Sequence, residues 1–136
     1  EFSGFVCVNL APACEVDESL LERADLLVVN ETEAEWYGDK LLKCNGLVAT
    51  TFGAKGAELR RCAKLVTRCA PPPVDVVDAT GAGDSFTAAL VVALLEGQHE
   101  EHALKFACAA AAVATTLRGA QPSLPERAAV EERLAL

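Results

Sequence analysis

Three apolar segments separated by two helix-like segments constrain the fold of this chain most. Segments 5–10, 25–30 and 46–52 have apolar runs without strict alternation, which is typical of strands covered on both faces. Segments 17–23 and 31–37 lie between them and are predicted to be helical. Strand, helix, strand, helix, strand is the order that builds a parallel sheet with crossover helices. The sequence therefore predicts an α/β fold with a mostly parallel sheet.

The remaining sequence predicts a hairpin, a stiff connector and three helices within the same single domain, 1–136. The first of these helices has apolar residues at helical spacing, and Gly97 can end it. The second has an alanine-rich middle that permits close packing. In chain order, the predicted segments are strands 57–61 and 64–69, the prolines 71–73, a helix from 84, a helix over 100–117, a loop over 119–125 and a helix over 126–136.

Composition and charge exclude several classes of protein. The 136 residues are 51% hydrophobic, which excludes a disordered tail. A formal net charge of −8 argues against a nucleic-acid surface, because phosphate contacts need clustered cations. No uninterrupted apolar run reaches the roughly 18 residues of a membrane span, and no basic signal-peptide region opens the chain. A cytoplasmic protein is expected.

The six cysteines and two histidines do not have metal-ligand spacing. No CxxC pair is present, and His99 and His102 lie in a polar helix start, so no zinc site is expected. Cys7 and Cys108 lie within apolar runs and are interpreted as small core residues. Nothing indicates secretion, so a disulfide framework is not favoured.

The segment Thr80-Gly81-Ala82-Gly83-Asp84 is the strongest functional signal. Small residues directly precede a periodic helix, whose first N–H groups are unpaired and whose dipole is positive at that end. Glycines allow an anion to approach this backbone closely, and Asp84 could accept a proton from an attacking hydroxyl. The ordinary alternative is a tight turn with Asp84 as a helix cap. These residues alone do not decide between the two.

Three further clusters are weaker on their own. Segment 30–35 carries three carboxylates after a strand, where they could hold hydrated Mg²⁺ or simply form an acidic helix start. Segment 51–56 has glycines that would permit nucleotide contact, or a plain β-turn. Segment 119–123 offers carbonyl oxygens to an alkali cation, or is a helix-ending loop.

The four clusters together, in this order, resemble the C-terminal half of the ribokinase family of sugar and nucleoside kinases. Segment 78–86 resembles the family's second signature, and Asn30-Glu31-Thr32-Glu33 resembles its Asn-x-x-Glu motif. Segments 9–13, 30–35 and 119–123 are most similar to the family members that phosphorylate ribose. The resemblance implies a three-layer sandwich, of which residues 1–136 form the C-terminal, nucleotide-binding part. The N-terminal sugar-binding half and lid lie outside this resemblance.

The resemblance implies specific roles. Asp84 matches the catalytic base that deprotonates the acceptor hydroxyl, and the N–H groups of Gly81, Ala82 and Gly83 match the anion hole for the transferring phosphoryl group. Glu33 matches the residue that positions Mg²⁺. The implied nucleotide contacts are Asn30, Thr51, Gly53, Gly56, Gly83, Ala107 and Cys108. The implied ligands of an activating K⁺ are Asp78, Thr80, Ala114, Gly119 and Ser123, largely through carbonyl oxygens.

The function implied is ATP-dependent phosphorylation of a sugar hydroxyl, with D-ribose converted to ribose 5-phosphate. Fructose or a nucleoside as acceptor is the alternative within the family. A non-catalytic remnant that binds nucleotide is the alternative outside it, because the segment alone lacks most of the acceptor site. The resemblance is also compatible with a homodimer of the full-length protein. No nucleic acid or membrane partner is expected.

Overall fold

The computed structural model describes residues 2–136 and contains five strands and five α-helices. A short 3₁₀ helix, Gly38–Lys43, and a 3₁₀ turn, Gly53–Lys55, lie between them. In chain order the elements are β1 (Cys7–Asn9), α1 (Glu18–Arg23), β2 (Leu26–Asn30), α2 (Glu31–Tyr37), β3 (Leu47–Thr51), β4 (Ala57–Arg61), β5 (Lys64–Cys69), α3 (Ala82–Leu95), α4 (Glu100–Ala114) and α5 (Arg127–Leu134).

The strands form one sheet in the order β1-β2-β3-β4-β5. Strands β1, β2 and β3 are parallel, and the β4–β5 hairpin continues the sheet in antiparallel fashion. Asn30 pairs with Thr51, so β2 and β3 end side by side. The α/β prediction is confirmed, and polar residues that follow these two strands are brought to one edge of the sheet.

Both faces of the sheet are covered by helices, which gives three layers. Leu26 and Val28 face a core shared with α3, α4 and α5, whereas Leu27 and Val29 face a second core with Tyr37 of α2. All four β2 side chains are at most 5% exposed. Burial of each such side chain stabilises the fold by about 1.5–3 kcal/mol. Two-sided burial explains why this strand is continuously apolar.

Helices α3 and α4 pack closely through small side chains. Ala93 of α3 and Ala103, Ala107 and Ala109 of α4 are fully buried. The absence of bulk beyond Cβ lets the two backbones approach, as predicted from the alanine-rich sequence. Among the described residues, none of the helices has the combination of length and apolar character needed to cross a membrane.

Several elements end earlier than predicted. Strand β1 has only three residues, and α4 stops at Ala114 rather than at 117. The hydroxyl groups of Thr115 and Thr116 donate to the carbonyl oxygens of Ala112 and Val113, each at 2.7 Å, and bond the last helical turn. Periodicity does not reveal this, because both threonines can also continue a helix.

The cysteines in the described residues are all free thiols. Cys108 is buried as predicted, and Cys7 is half-buried against the same core. Burial raises the pKa of the Cys108 thiol to about 12, with a further contribution from the neighbouring Cys69 thiol. Cys108 is therefore a neutral, unreactive thiol at neutral pH.

Candidate active site

A sharp turn before α3 directs the chain into the helix. Asp78 Oδ1 accepts hydrogen bonds from the N–H and the hydroxyl of Thr80, at 2.9 and 2.6 Å. Gly81 then precedes the helix with φ +81°, a conformation that side-chain-bearing residues rarely adopt. The glycine is therefore required by the backbone at this position.

The first turn of α3 has unpaired donors. The N–H of Ala82 donates to Ala79 O at 3.2 Å, and that of Ser85 donates to Gly81 O at 3.0 Å. No side chain caps the helix, and within residues 2–136 the N–H groups of Gly83 and Asp84 have no protein acceptor. These donors and the dipole of a 14-residue helix favour a bound anion.

This geometry contradicts one of the two interpretations of the glycine-rich segment. Asp84 does not cap α3, so the simple capping alternative is wrong. Of the three N–H donors predicted for the anion hole, those of Gly81 and Gly83 have no acceptor among residues 2–136, whereas that of Ala82 is engaged within the turn. The Asp84 N–H is a further free donor.

Two cavities lie on different sides of the first turn of α3. Gly83 lines the larger, of about 460 Å³, and Asp84 lines the smaller, of about 360 Å³. Asp84 is exposed and forms no salt bridge with a described residue. Beside it in the smaller cavity, the Ser85 hydroxyl is buried and has no hydrogen-bond partner among residues 2–136. Gly83 and Asp84 are thus adjacent residues that line separate cavities.

The larger cavity brings together five predicted nucleotide-binding residues: Thr51, Gly53, Gly56, Gly83 and Cys108. Gly56 has φ +98°, and a Cβ there would lie 1.9 Å from the Cys69 carbonyl oxygen. Any side chain at that position would therefore displace β5 and close part of the cavity.

Sequence reasoning missed two walls of this cavity. Pro71, Pro72 and Pro73, interpreted only as a connector, line it directly. Ala111 and Ala112 of α4 and Thr115, the residue that follows the helix, line it as well. They lie three, four and seven positions after Cys108, so helical spacing from that residue could have found them. Ala107 is fully buried in the core and does not line the cavity, contrary to its sequence-based assignment.

Asn30 and Glu33 form a reciprocal cap at the start of α2. Asn30 Oδ1 accepts from the Glu33 N–H at 2.8 Å, and Glu33 Oε2 accepts from the Asn30 N–H at 2.9 Å. Neither residue lines the larger cavity, although Asn30 lies next to Thr51 at the sheet edge. The cap uses Glu33 Oε2 and leaves Oε1 able to accept from water on a hydrated ion. No cluster of three His, Cys, Asp or Glu side chains suited to a metal occurs in residues 2–136.

The predicted cation ligands come from two loops that are hydrogen-bonded together. Asp78 Oδ2 accepts from the Gly119 N–H at 2.9 Å, and the Asp78 N–H donates to Thr115 O at 3.0 Å. Hydrogen bonds from Thr80 and Gly119 lower the pKa of Asp78 to about 2, so it is ionised at neutral pH. Ser123 is 2% exposed, and its hydroxyl donates to Ala120 O. Loops rich in carbonyl oxygens are chemically suited to K⁺.

The larger cavity lies at the carboxyl edge of the parallel strands and borders the first turn of α3, which is where open α/β sheets bind their ligands. The model of the pfkB family of carbohydrate kinases matches residues 1–127. The chain therefore belongs to the pfkB family of carbohydrate kinases.

Individual relatives give the same result. The chain is 37% identical over 131 residues to ribokinase of Arabidopsis thaliana. The aligned region covers 85% of this chain and 35% of that relative. It is 46% identical over 126 residues to fructokinase-2 of Solanum lycopersicum, covering 79% and 38%. It matches the structure of Arabidopsis thaliana ribokinase complexed with ribose and ATP, with a TM-score of 0.85 and 34% identity over 97% of this chain and 48% of that one. The chain thus spans less than half the length of these relatives.

Proposed function

We propose that this chain is the phosphoryl-donor part of an ATP-dependent sugar kinase that converts D-ribose to ribose 5-phosphate. The observation that carries this proposal is the first turn of α3, where Gly83, with its free N–H group, lines one cavity and Asp84 lines another. A donor nucleotide and an acceptor alcohol need such separate spaces that meet at one point.

The free donors act on the transferring phosphoryl group. The N–H groups of Gly83 and Asp84 point out of the helix and need no rearrangement to meet negative charge. Fixed donors of this kind stabilise charge that develops in a transition state, and loss of one typically costs about 10²–10³-fold in rate. Together with the helix dipole, they orient the phosphoryl group toward the acceptor.

Asp84 acts as the general base. Its carboxylate takes the proton of the acceptor hydroxyl as that oxygen attacks phosphorus, which makes the oxygen a better nucleophile. The exposed position of Asp84 and the absence of a salt bridge to a described residue leave the carboxylate accessible. Its place in the first turn of α3 keeps it adjacent to the anion-binding donors.

The proposal includes Mg²⁺ and K⁺. Glu33 would hold hydrated Mg²⁺ through water on Oε1, and a bound Mg²⁺ neutralises phosphate charge. K⁺ would be held by the joined loops, through carbonyl oxygens of Thr80, Ala114 and Gly119 together with Asp78 and Ser123. The same loops set the position of the turn before α3, so their order would affect the anion-binding donors.

Ribose is the proposed acceptor because ribokinases are among the relatives, one of them solved with ribose and ATP. The 46% identity to a fructokinase favours fructose as the second candidate. Comparison of kcat/KM for ribose, fructose and adenosine in a kinase that joins this chain to an N-terminal half of the family tests the choice. A preference for fructose or adenosine over ribose would overturn it.

A non-catalytic nucleotide-binding role is the second candidate function. The observation in its favour is that the chain spans less than half the length of its relatives. Calorimetric titration of the 136-residue chain with ATP and Mg²⁺ tests the part common to both functions. We expect saturable binding that requires Mg²⁺, and its absence would overturn the assignment of the larger cavity.

A further inference from the structure

The larger cavity has almost no side chain able to identify a base by hydrogen bonding. Its lining is apolar or glycine apart from Thr51, Cys108 and Thr115. Each of these three already donates its hydrogen to a backbone carbonyl. Thr115 bonds Ala112 O at 2.7 Å, Thr51 bonds Val29 O at 3.5 Å, and Cys108 bonds Cys69 O at 3.9 Å.

The walls formed by the three prolines and by α4 lack free backbone donors, whereas the N–H groups of Gly53, Ala54 and Ala79 elsewhere in the lining have no acceptor among the described residues. Pro71, Pro72 and Pro73 have no N–H group. Ala111 and Ala112 lie within α4, where N–H groups bond along the helix. The free polar atoms of these walls are therefore carbonyl oxygens. Such oxygens accept from the amino group of adenine as readily as from the ring N–H and amino group of guanine.

The composition of a pocket determines how strongly it discriminates between similar ligands. A site that hydrogen-bonds a particular substrate group rejects an analogue without it by about 10⁴–10⁵-fold, whereas an apolar pocket separates similar molecules by only about 10–200-fold. With the phosphates held at Gly83, affinity comes mainly from the phosphate contacts and from burial of the base. Neither contribution depends on the exocyclic groups of a purine.

We propose that this cavity binds purine nucleoside triphosphates with little discrimination among bases, so that ATP, GTP and ITP are all donors. The inference rests on the proposed function, because it assumes that a nucleotide occupies the larger cavity. It assigns the lack of selectivity to the walls formed by the three prolines and by Cys108, Ala111 and Ala112.

Calorimetric titration of the 136-residue chain with the Mg²⁺ complexes of ATP, GTP and ITP tests the proposal. We expect the three dissociation constants to differ by no more than about 200-fold, the upper limit for an apolar pocket. Binding of ATP with GTP and ITP weaker by more than that would overturn the inference and leave the proposed function intact. If none of the three binds, both fail.

A pair of asparagine variants tests which wall is responsible. Cys108→Asn places an amide donor and acceptor in the cavity, and we expect the ratio of the ATP and GTP dissociation constants to change more than threefold. Cys62→Asn is the matched control, since Cys62 is exposed in the hairpin turn with φ +48°, which asparagine tolerates. An unchanged ratio in a folded Cys108→Asn variant contradicts the assignment to this wall. If that variant does not fold, the titrations of the unmodified chain still decide the proposal.

Discussion

Asp78 and Gly119 are 41 positions apart in sequence and are joined by a hydrogen bond of 2.9 Å from the Gly119 N–H to Asp78 Oδ2. The other carboxylate oxygen of Asp78 accepts both hydrogen bonds from Thr80. One side chain thus connects the turn before α3 to the loop after α4. The position of the anion-binding donors depends on this connection.

Replacement of Asp78 by asparagine should weaken the fold and change its dependence on pH. The folded-state pKa of Asp78, about 2, lies below its ordinary value of 3.8, so the carboxylate stabilises the fold above about pH 4 and loses that effect as the pH falls toward 2. We expect Asp78→Asn to lower Tm at pH 6, with a difference from wild type that shrinks below pH 4. Thermal unfolding followed by circular dichroism between pH 6 and 2.5 measures this.

Asp75→Asn is the control for that experiment. Asp75 is exposed, lies three positions earlier and makes no hydrogen bond to another described residue. We expect its substitution to leave Tm nearly constant at every pH. If Asp78→Asn and Asp75→Asn behave alike, the side chain of Asp78 does not connect the two loops.

Replacement of Gly83 by alanine should separate binding from stability. Apart from its chain neighbours and the backbone of its own helix, no atom lies within 4 Å of a Cβ built at Gly83, and alanine is favoured over glycine in a helix by about 0.5–1 kcal/mol. We expect an unchanged or higher Tm. The ATP dissociation constant should rise about tenfold or more, because the methyl group enters the space of the phosphate and weakens about one charge-assisted hydrogen bond.

Gly97→Ala, at the other end of α3, is the control and should have the opposite effects on stability and on ATP binding. Gly97 has φ +77°, so alanine there is strained, and the residue does not line the larger cavity. We expect a lower Tm with nearly normal ATP affinity. Normal ATP affinity in Gly83→Ala would place the phosphate elsewhere.

Replacement of Gly56 by alanine should damage the fold and the cavity together. The new Cβ would lie 1.9 Å from Cys69 O, at a backbone position with φ +98°. We expect the free energy of unfolding to fall by at least about 1 kcal/mol, since both strain and displacement of β5 contribute. Urea unfolding gives this value. Stability equal to wild type would show that β5 is not held against Gly56 in solution.

Much of the fold could be predicted because its signals are local. The apolar run of β2 reflects burial on two faces, and Gly38 and Gly97 mark helix ends by their positive φ. The end of α4 could not be predicted, since it depends on whether Thr115 and Thr116 donate to carbonyl oxygens or extend the helix.

The parts of the site that depend on backbone conformation were the ones that the sequence predicted best. Gly56, Gly81 and Gly83 stand where a side chain is strained or would fill a cavity, and such positions are visible as glycines in the sequence. The wall formed by the three prolines could not be found, because it depends on how the connector crosses the sheet edge. The sequence also could not show that the Ala82 N–H is used within the turn.

The most direct test of the central claim measures turnover and ATP binding in Asp84→Asn. The substitution is made in a kinase that joins this chain to an N-terminal half of the family. We expect kcat to fall by about 10²–10⁴-fold, because the base is removed, with an ATP dissociation constant within about twofold of wild type. A kcat close to wild type would contradict the assignment of Asp84 as the base at the anion-binding end of α3.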